Sequence, residues 1–328
     1  MAEIVLGIGT SHSPLLSFSA TSWEPWGRRD SQIPAFHDDG GTVLTYDDLL
    51  ARPHPGLAER LDLAVYEDNV VRCRAAIDQL GATLRDARLD ALVVVGDDQA
   101  EHLHSDNLPP ILVYHGATLR NTVADPPPDA PAEIVELIRG YHEPDVDVDY
   151  PVHVELAHHV ISHLFDAGFD VATSDRLPRE RAEGHAIQFP HRRIVGPELP
   201  IVPILLNTYN PPSQPRVGRC FQLGSAVAEA LRAYDGLGRV GLLASGGLSH
   251  FVVLEEFDRR VLQALADKDH DWLCAIPEAV LQSGTSEIKN WVTVAAACAH
   301  LDFAPIDYVP GYRTPAGTGT GLAFGVWS

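Results

Sequence analysis

Paired cysteines are missing from this chain. Its four cysteines, Cys73, Cys220, Cys274 and Cys298, are scattered through 328 residues without a CxxC spacing. That excludes a disulfide framework and a zinc knuckle, and leaves them as buried thiols. The first residues lack the basic and apolar regions of a leader peptide, and no apolar run approaches the roughly 20 residues that span a bilayer. A cytoplasmic location without membrane contact is the expectation. Positive charge is also scarce: 24 Lys and Arg stand against 45 Asp and Glu, a formal net charge of -21. Such a field repels polyanions, so nucleic acid and anionic membrane surfaces are poor partners. An acidic substrate would need local counter-charge, for which Arg192, Arg193 and Arg313 are candidates beside their plainer reading as solvated surface residues.

What is present is the material of an ordinary globular core, 45% hydrophobic and 21% charged, long enough for one large domain spanning 1–328. Apolar β-type runs recur at Ile4–Gly9, Ala91–Val95, Ile111–Tyr114, Ile201–Leu206, Val240–Ala244 and Gly321–Trp327. Helical patterns lie between several of them. Glu59 to Leu89 reads as one long helix or two abutting ones, and Val154 to Phe165 carries a stripe of Ala157, Val160, Ile161, Leu164 and Phe165 at helical spacing. The order predicts an α/β fold, a three-layer sandwich whose central mixed, largely parallel sheet is covered by helices on both faces. His159 and His163 have the i, i+4 spacing of a metal clamp but fall opposite the apolar stripe, as a solvated face would. The segment 17–54 is rich in Trp, Pro, Gly and Asp, has no sustained period, and is long for a connection. It reads as an inserted lid or a dimer contact.

Two histidines follow strand-like runs. One is His12, after Ile4-Val-Leu-Gly-Ile-Gly-Thr-Ser, and the other His250, after Gly241-Leu-Leu-Ala-Ser-Gly-Gly-Leu-Ser. Ligands in open α/β sheets bind beyond the carboxyl ends of strands, so both histidines point to one site. Gly7-Ile-Gly9 opens like a dinucleotide fingerprint but has His12 where the third glycine belongs, which fails that test. A third strand runs into Gly96-Asp-Asp-Gln99-Ala-Glu101-His102, a cluster of oxygen-bearing side chains. Ser283-Gly-Thr-Ser-Glu287 is a helix start, where a carboxylate also has a bland role in capping. No G-x-S-x-G elbow is present, and Ser249 beside His250 is adjacency rather than a triad.

Taken together, Ser-His12-Ser-Pro, Gly-Gly-Leu-Ser-His250, Ser-Glu287-Ile-Lys-x-Trp, Tyr209-Asn-Pro-Pro, Arg219-Cys-Phe-x-Leu-Gly224 and Tyr312-Arg-Thr-Pro-Ala-Gly-Thr-Gly resemble the class III extradiol ring-cleavage dioxygenases. The resemblance runs nearly the whole length, towards the protocatechuate 4,5-dioxygenase beta-subunit and gallate dioxygenase branch. It implies a non-haem Fe(II) site of two histidines and a glutamate, with positions left for a catechol-type aromatic acid and O2. Carried over by motif, His12 and Glu287 are metal ligands. His185 falls where the family has an acid/base histidine, His250 is the second active-site histidine, and Tyr209 and Thr318 are pocket residues. The substrate implied is a hydroxylated or methoxylated benzoate, with a homodimer as the assembly. Whether the metal is Fe(II) or Mn(II) stays open.

One position departs from the pattern. Counted back from Pro109-Pro110, the residue where the family has its second histidine ligand is Gln99, a neutral and weaker donor than imidazole. Three accounts follow. Gln99 ligates through its carbonyl or a water; or His102, His104, His115 or His54 supplies the missing imidazole; or the metal is lost and the fold serves as a binding protein or a non-oxidative hydrolase.

Overall fold

A computed structural model describes residues 1–177 and 182–328. Among the described residues, nine strands form the central sheet: β1 (Glu3–Thr10), β2 (Ala91–Asp97), β3 (Ile111–Tyr114), β4 (Ala172–Ser174), β5 (Ile201–Leu206), β6 (Arg239–Ser245), β7 (His250–Val252), β8 (Phe303–Tyr312) and β9 (Thr318–Trp327). Their order is β7-β9-β1-β6-β2-β5-β3-β4, with β8 paired to β9. The middle four, β1, β6, β2 and β5, run parallel. β9 is antiparallel to β1, β7 and β8, and β3 is antiparallel to β5. The mixed α/β sandwich expected from the sequence is therefore the fold.

Side-chain alternation builds the layers. Val93, Val95, Val202, Ile204, Leu242 and Ala244 face one cluster, which they share with helices Val154–Asp166, Val217–Ala233, Glu255–Ala266 and Ile288–Ala297. Leu92, Val94, Leu205 and Leu243 face the other, against helix Leu63–Ala87. A register shift between Ile4 and Leu6 puts Ile4 in the first cluster and Leu6 with Ile8 in the second, the effect of one extra residue in a strand.

Some expectations change in detail. The helical stretch from Glu59 resolves into Leu57–Arg60 and Leu63–Ala87. In Val154–Asp166 the buried stripe is Leu156, Ala157, Val160 and Leu164, whereas Phe165 is 50% exposed and leaves the stripe. His159 is half-buried rather than solvated, its Nε2 2.9 Å from the Ala230 carbonyl. Segment 17–54 folds into short helical turns, a small hairpin of Phe36–His37 with Val43–Leu44, and helix Tyr46–Leu50 with a Thr45/Asp48 capping box. Phe18, Trp23, Phe36 and Leu49 bury it against the body.

Candidate metal centre and active site

The carboxyl ends of the parallel strands converge at one cavity. His12 follows β1 and is buried; its Nδ1 lies 2.9 Å from Ser245 Oγ at the end of β6. That contact turns Nε2 inward, 3.3 Å from Glu287 Oε2 and 3.8 Å from Asp97 Oδ1. Glu287 sits where a short turn, Ser283–Glu287, enters helix Ile288–Ala297. The helix is held against β1 by Trp291, which occupies the space where a Gly9 side chain would be, a Cβ there meeting the indole at 2.3 Å. Its Nε1 donates to the Gly246 carbonyl at 2.8 Å. Gly9 is thus required by a close approach rather than by its dihedral angles.

The second wall comes from β2. Asp97 ends that strand, wholly buried, with Oδ1 3.2 Å from Asn290 Nδ2. Asp98 turns the other way and accepts from the backbone N–H groups of Glu101, His102 and Leu103, fixing the turn. Glu101 then accepts from His185 twice, at 3.0 Å from its backbone N–H and 2.7 Å from Nδ1. Gln99 places its amide nitrogen 3.2 Å from both His185 Nε2 and Glu287 Oε1.

Charges set the protonation here. Burial alone would lower His185, but the carboxylates of Glu101, Asp97 and Glu287 carry it up to about 10. Burial would raise Glu101, and the His185 charge instead holds it at about 2. Glu287 is likewise held well below the carboxylate range, the charges of His250 and His12 overriding its burial. Asp97 moves well above that range, through burial and then the Glu287 charge. His12 is lowered by burial. A cluster that holds a proton on an enclosed imidazole also favours a cation.

The residues fit a metal. Ligand atoms of His12, Asp97, His185 and Glu287 all lie within 4.8 Å of one another. His12 Nε2 and Asp97 Oδ2, both buried, find no hydrogen-bond partner among the described residues, as expected of groups arranged around an ion. Two imidazoles and a carboxylate are the donors of a non-haem iron site.

Beside the cluster, His250 directs Nδ1 to the Leu248 carbonyl at 3.0 Å and Nε2 to Glu287 Oε1 at 3.0 Å. The carbonyl can only accept, so Nδ1 carries a proton and Nε2 is the nitrogen that can exchange one. The Tyr209 hydroxyl stands 3.2 Å from Glu287 Oε1 and 3.4 Å from His250 Nε2. These groups line a cavity of ≈ 440 Å³, whose outer wall includes Pro14, Trp26, Leu137, Ile138 and Phe251. Trp26 comes from segment 17–54. Arg313 reaches the lining too, but its guanidinium grips Asp30 at 2.7 and 3.0 Å.

The family model described as the catalytic LigB subunit of aromatic ring-opening dioxygenase matches residues 79–320. The chain belongs to this family. Two curated relatives of this LigB-family protein carry the name 2,3-dihydroxyphenylpropionate/2,3-dihydroxicinnamic acid 1,2-dioxygenase. The one from Comamonas testosteroni is 28% identical over 57% of this chain and 51% of its own. The one from Rhodococcus sp is 30% identical over 56% and 50%. The LigB-family chain thus spans about half the length of the curated relatives it matches. The crystal structure of an uncharacterized protein from Escherichia coli K12 overlays with a TM-score of 0.42 at 16% identity, covering 77% of this chain and 91% of that one.

Of the residues singled out by sequence in this LigB-family chain, His12, Gln99, His185, Tyr209, His250 and Glu287 all line the cavity. Thr318 is a correction: it is fully buried and donates to Asp30 Oδ2 at 2.5 Å, away from the lining, where Thr320 stands instead. The four histidines offered as substitutes lie elsewhere. His54 contacts the Leu49 carbonyl, His115 pairs with His158, His104 bridges to Asn107, and His102 lines a separate cavity. Asp97 and Glu101 belong to the strand-end cluster of oxygen-bearing side chains visible in the sequence, which by itself assigns neither of them a role. No membrane-length apolar helix is present among the described residues.

Proposed function

We propose that this protein is a metal-dependent extradiol dioxygenase that opens a catechol-type ring with O2. The observation that carries the reading is the inward convergence of His12, His185 and Glu287 beside a third histidine, His250, in a cavity roomy enough for a substituted catechol. His12 and Glu287 hold the metal, Fe(II) in this reading, with a third protein donor taken up below. A ferrous ion held there would supply the redox coupling between the diol and O2 that ring opening requires.

The chain's own groups do the rest. His250 Nε2 is placed to take a catechol proton and return it later, because Glu287 and Tyr209 both face that atom. Tyr209 keeps its proton, burial pushing it well above the usual phenol range, and so acts as a donor. The Gly247 N–H, 2.7 Å from Glu287 Oε2, fixes the carboxylate. Trp26, Leu137, Ile138 and Phe251 exclude water from the ring. Segment 17–54 is, in this reading, a cover contributed by the chain itself.

The outer wall bears on the substituent. Arg313 is neutralised by Asp30, so the described lining offers an apolar surface rather than a free cation. A catechol with an extended or alkyl substituent fits it better than one with a carboxylate on the ring. Oxygen uptake by protein reconstituted anaerobically with Fe(II) tests this, using protocatechuate, gallate, 2,3-dihydroxyphenylpropionate and 3-methylcatechol. Uptake with a yellow ring-opened product is expected, fastest with the last two. Iron bound without uptake on any catechol would sink the dioxygenase reading.

A further inference from the structure

We propose that His185 supplies the second imidazole of the metal centre in place of residue 99, with Glu101 fixing its ring and Gln99 serving as a donor to Glu287 from outside the ligand set. The inference uses the metal-dependent reading above but not ring cleavage itself.

The Glu101 carboxylate accepts from His185 twice, from Nδ1–H at 2.7 Å and from the backbone N–H at 3.0 Å. A metal-binding imidazole characteristically gives its other N–H to a carboxylate, which fixes both tautomer and ring orientation. With Nδ1 committed to Glu101, Nε2 is the nitrogen that faces the group formed with His12, Asp97 and Glu287, where a bound cation would take the place of its proton. The rings of His12 and His185 meet edge to face, centroids 4.5 Å apart and planes at 80°, so two nitrogens approach one point without the rings colliding. Glu101 is itself held in place by the turn that Asp98 caps.

Gln99 has the wrong end inward. Its amide nitrogen donates to Glu287 Oε1 at 3.2 Å, and an amide NH2 has no lone pair to offer a metal. Turning the amide over would set its carbonyl oxygen against the Glu287 carboxylate oxygen. Loss of an imidazole on β2's exit turn is thus made good by one from the start of helix His185–Pro190. Asp97 Oδ2, 3.8 Å from His185 Nε2, adds a hard oxygen on the same side.

Titration of the metal-free protein with Co(II), followed by its visible absorption bands and by calorimetry, separates the alternatives. His185→Ala is expected to weaken Co(II) at least about 100-fold and alter the bands, and Glu101→Gln to weaken it about 10- to 100-fold, as for outer partners of ligating histidines. Gln99→Ala should stay within about threefold of wild type with the bands unchanged, since no metal bond is removed. Circular dichroism melts of the metal-free variants check folding, and His185→Gln stands in where the alanine variant is unstable. A Gln99→Ala protein that loses its Co(II) bands while His185→Ala keeps them would overturn the proposal, as would wild-type protein that takes up no Co(II). If the Co(II) pattern holds and no catechol drives oxygen uptake, the ligand assignment stands and the ring-cleavage reading falls.

Discussion

Replacing Gly284 with alanine puts the proposed proton-handling histidine under direct steric load. A Cβ at that position would lie 1.7 Å from His250 Cδ2 and 2.2 Å from Nε2, where ordinary contact begins at 3.4 Å. The ring must therefore retreat by about 1.7 Å, since the turn Ser283–Glu287 is buried and the Thr285 hydroxyl bonds both the N–H and the carbonyl of residue 250. Overpacking of this kind costs about 1–3 kcal/mol of stability, which a urea titration will read. The larger effect falls on catalysis. A misplacement of about 1 Å costs on the order of 100-fold, and a general acid/base contributes about 10²–10⁴-fold. Gly284→Ala is accordingly expected to lower kcat by about 10²–10³-fold. Its metal content should be retained, because His12, Asp97 and His185 do not touch the new methyl. Stopped-flow oxygen consumption on iron-quantified protein gives kcat and KM separately. A variant with wild-type kcat would refute the assignment of proton transfer to His250.

Three further outcomes follow from buried charge and from metal linkage. Asp258 is enclosed between Ser249 and Tyr308, and burial raises its carboxyl from 3.8 to about 6. Its folded form favours the proton, so its contribution to stability is full below pH 3.8 and is lost as pH rises through 6. The gap between wild type and Asp258→Asn should shrink by about 1–2 kcal/mol between pH 5 and pH 8 in paired urea titrations, and a pH-independent gap would contradict the shift. Asp30→Asn strands the buried Arg313 guanidinium and should cost about 3–5 kcal/mol; a loss below 1 kcal/mol would show that the pair is solvated. Fe(II) or Mn(II) at about 100 times its Kd should stabilise the folded protein by about 2.7 kcal/mol, and chelation should reverse the rise in melting temperature. No shift with either ion would count against a built metal site.

The central strands were legible because they are apolar on both faces: Ile111–Tyr114 and Ile201–Leu206 coincide with β3 and β5 to the residue, and Ile4–Gly9, Ala91–Val95 and Val240–Ala244 fall within β1, β2 and β6. β8 was not, since Pro305, Asp307 and Pro310 break its apolar pattern, as befits a strand that among the described residues pairs only with β9. His12, His250 and Glu287 were visible through strand ends and a helix start. The pairing of Glu101 with His185 was invisible, being a contact across 84 positions. Thr318 and Thr320 share one strand face by period two, and the hydrogen bond to Asp30, 288 positions away, decides which of them is consumed by structure. Segment 17–54 was aperiodic because it is made of single turns, each pinned by one or two large side chains.

The contact of Trp291 with Gly9 has a consequence for how this protein can change. It couples the two proposed ligands most distant in the chain, His12 and Glu287, through a fully buried indole, so their separation is inherited with the core. The rim residues lie outside that core, Trp26 in helix Trp23–Gly27 and Leu137 with Ile138 in helix Ala132–Tyr141. Substitutions there can redirect which aromatic compound is admitted while the reactive centre stays untouched. Under the proposed function, preference and chemistry are mutationally separable, and a library confined to the rim is expected to sample new substrates without passing through metal-free proteins.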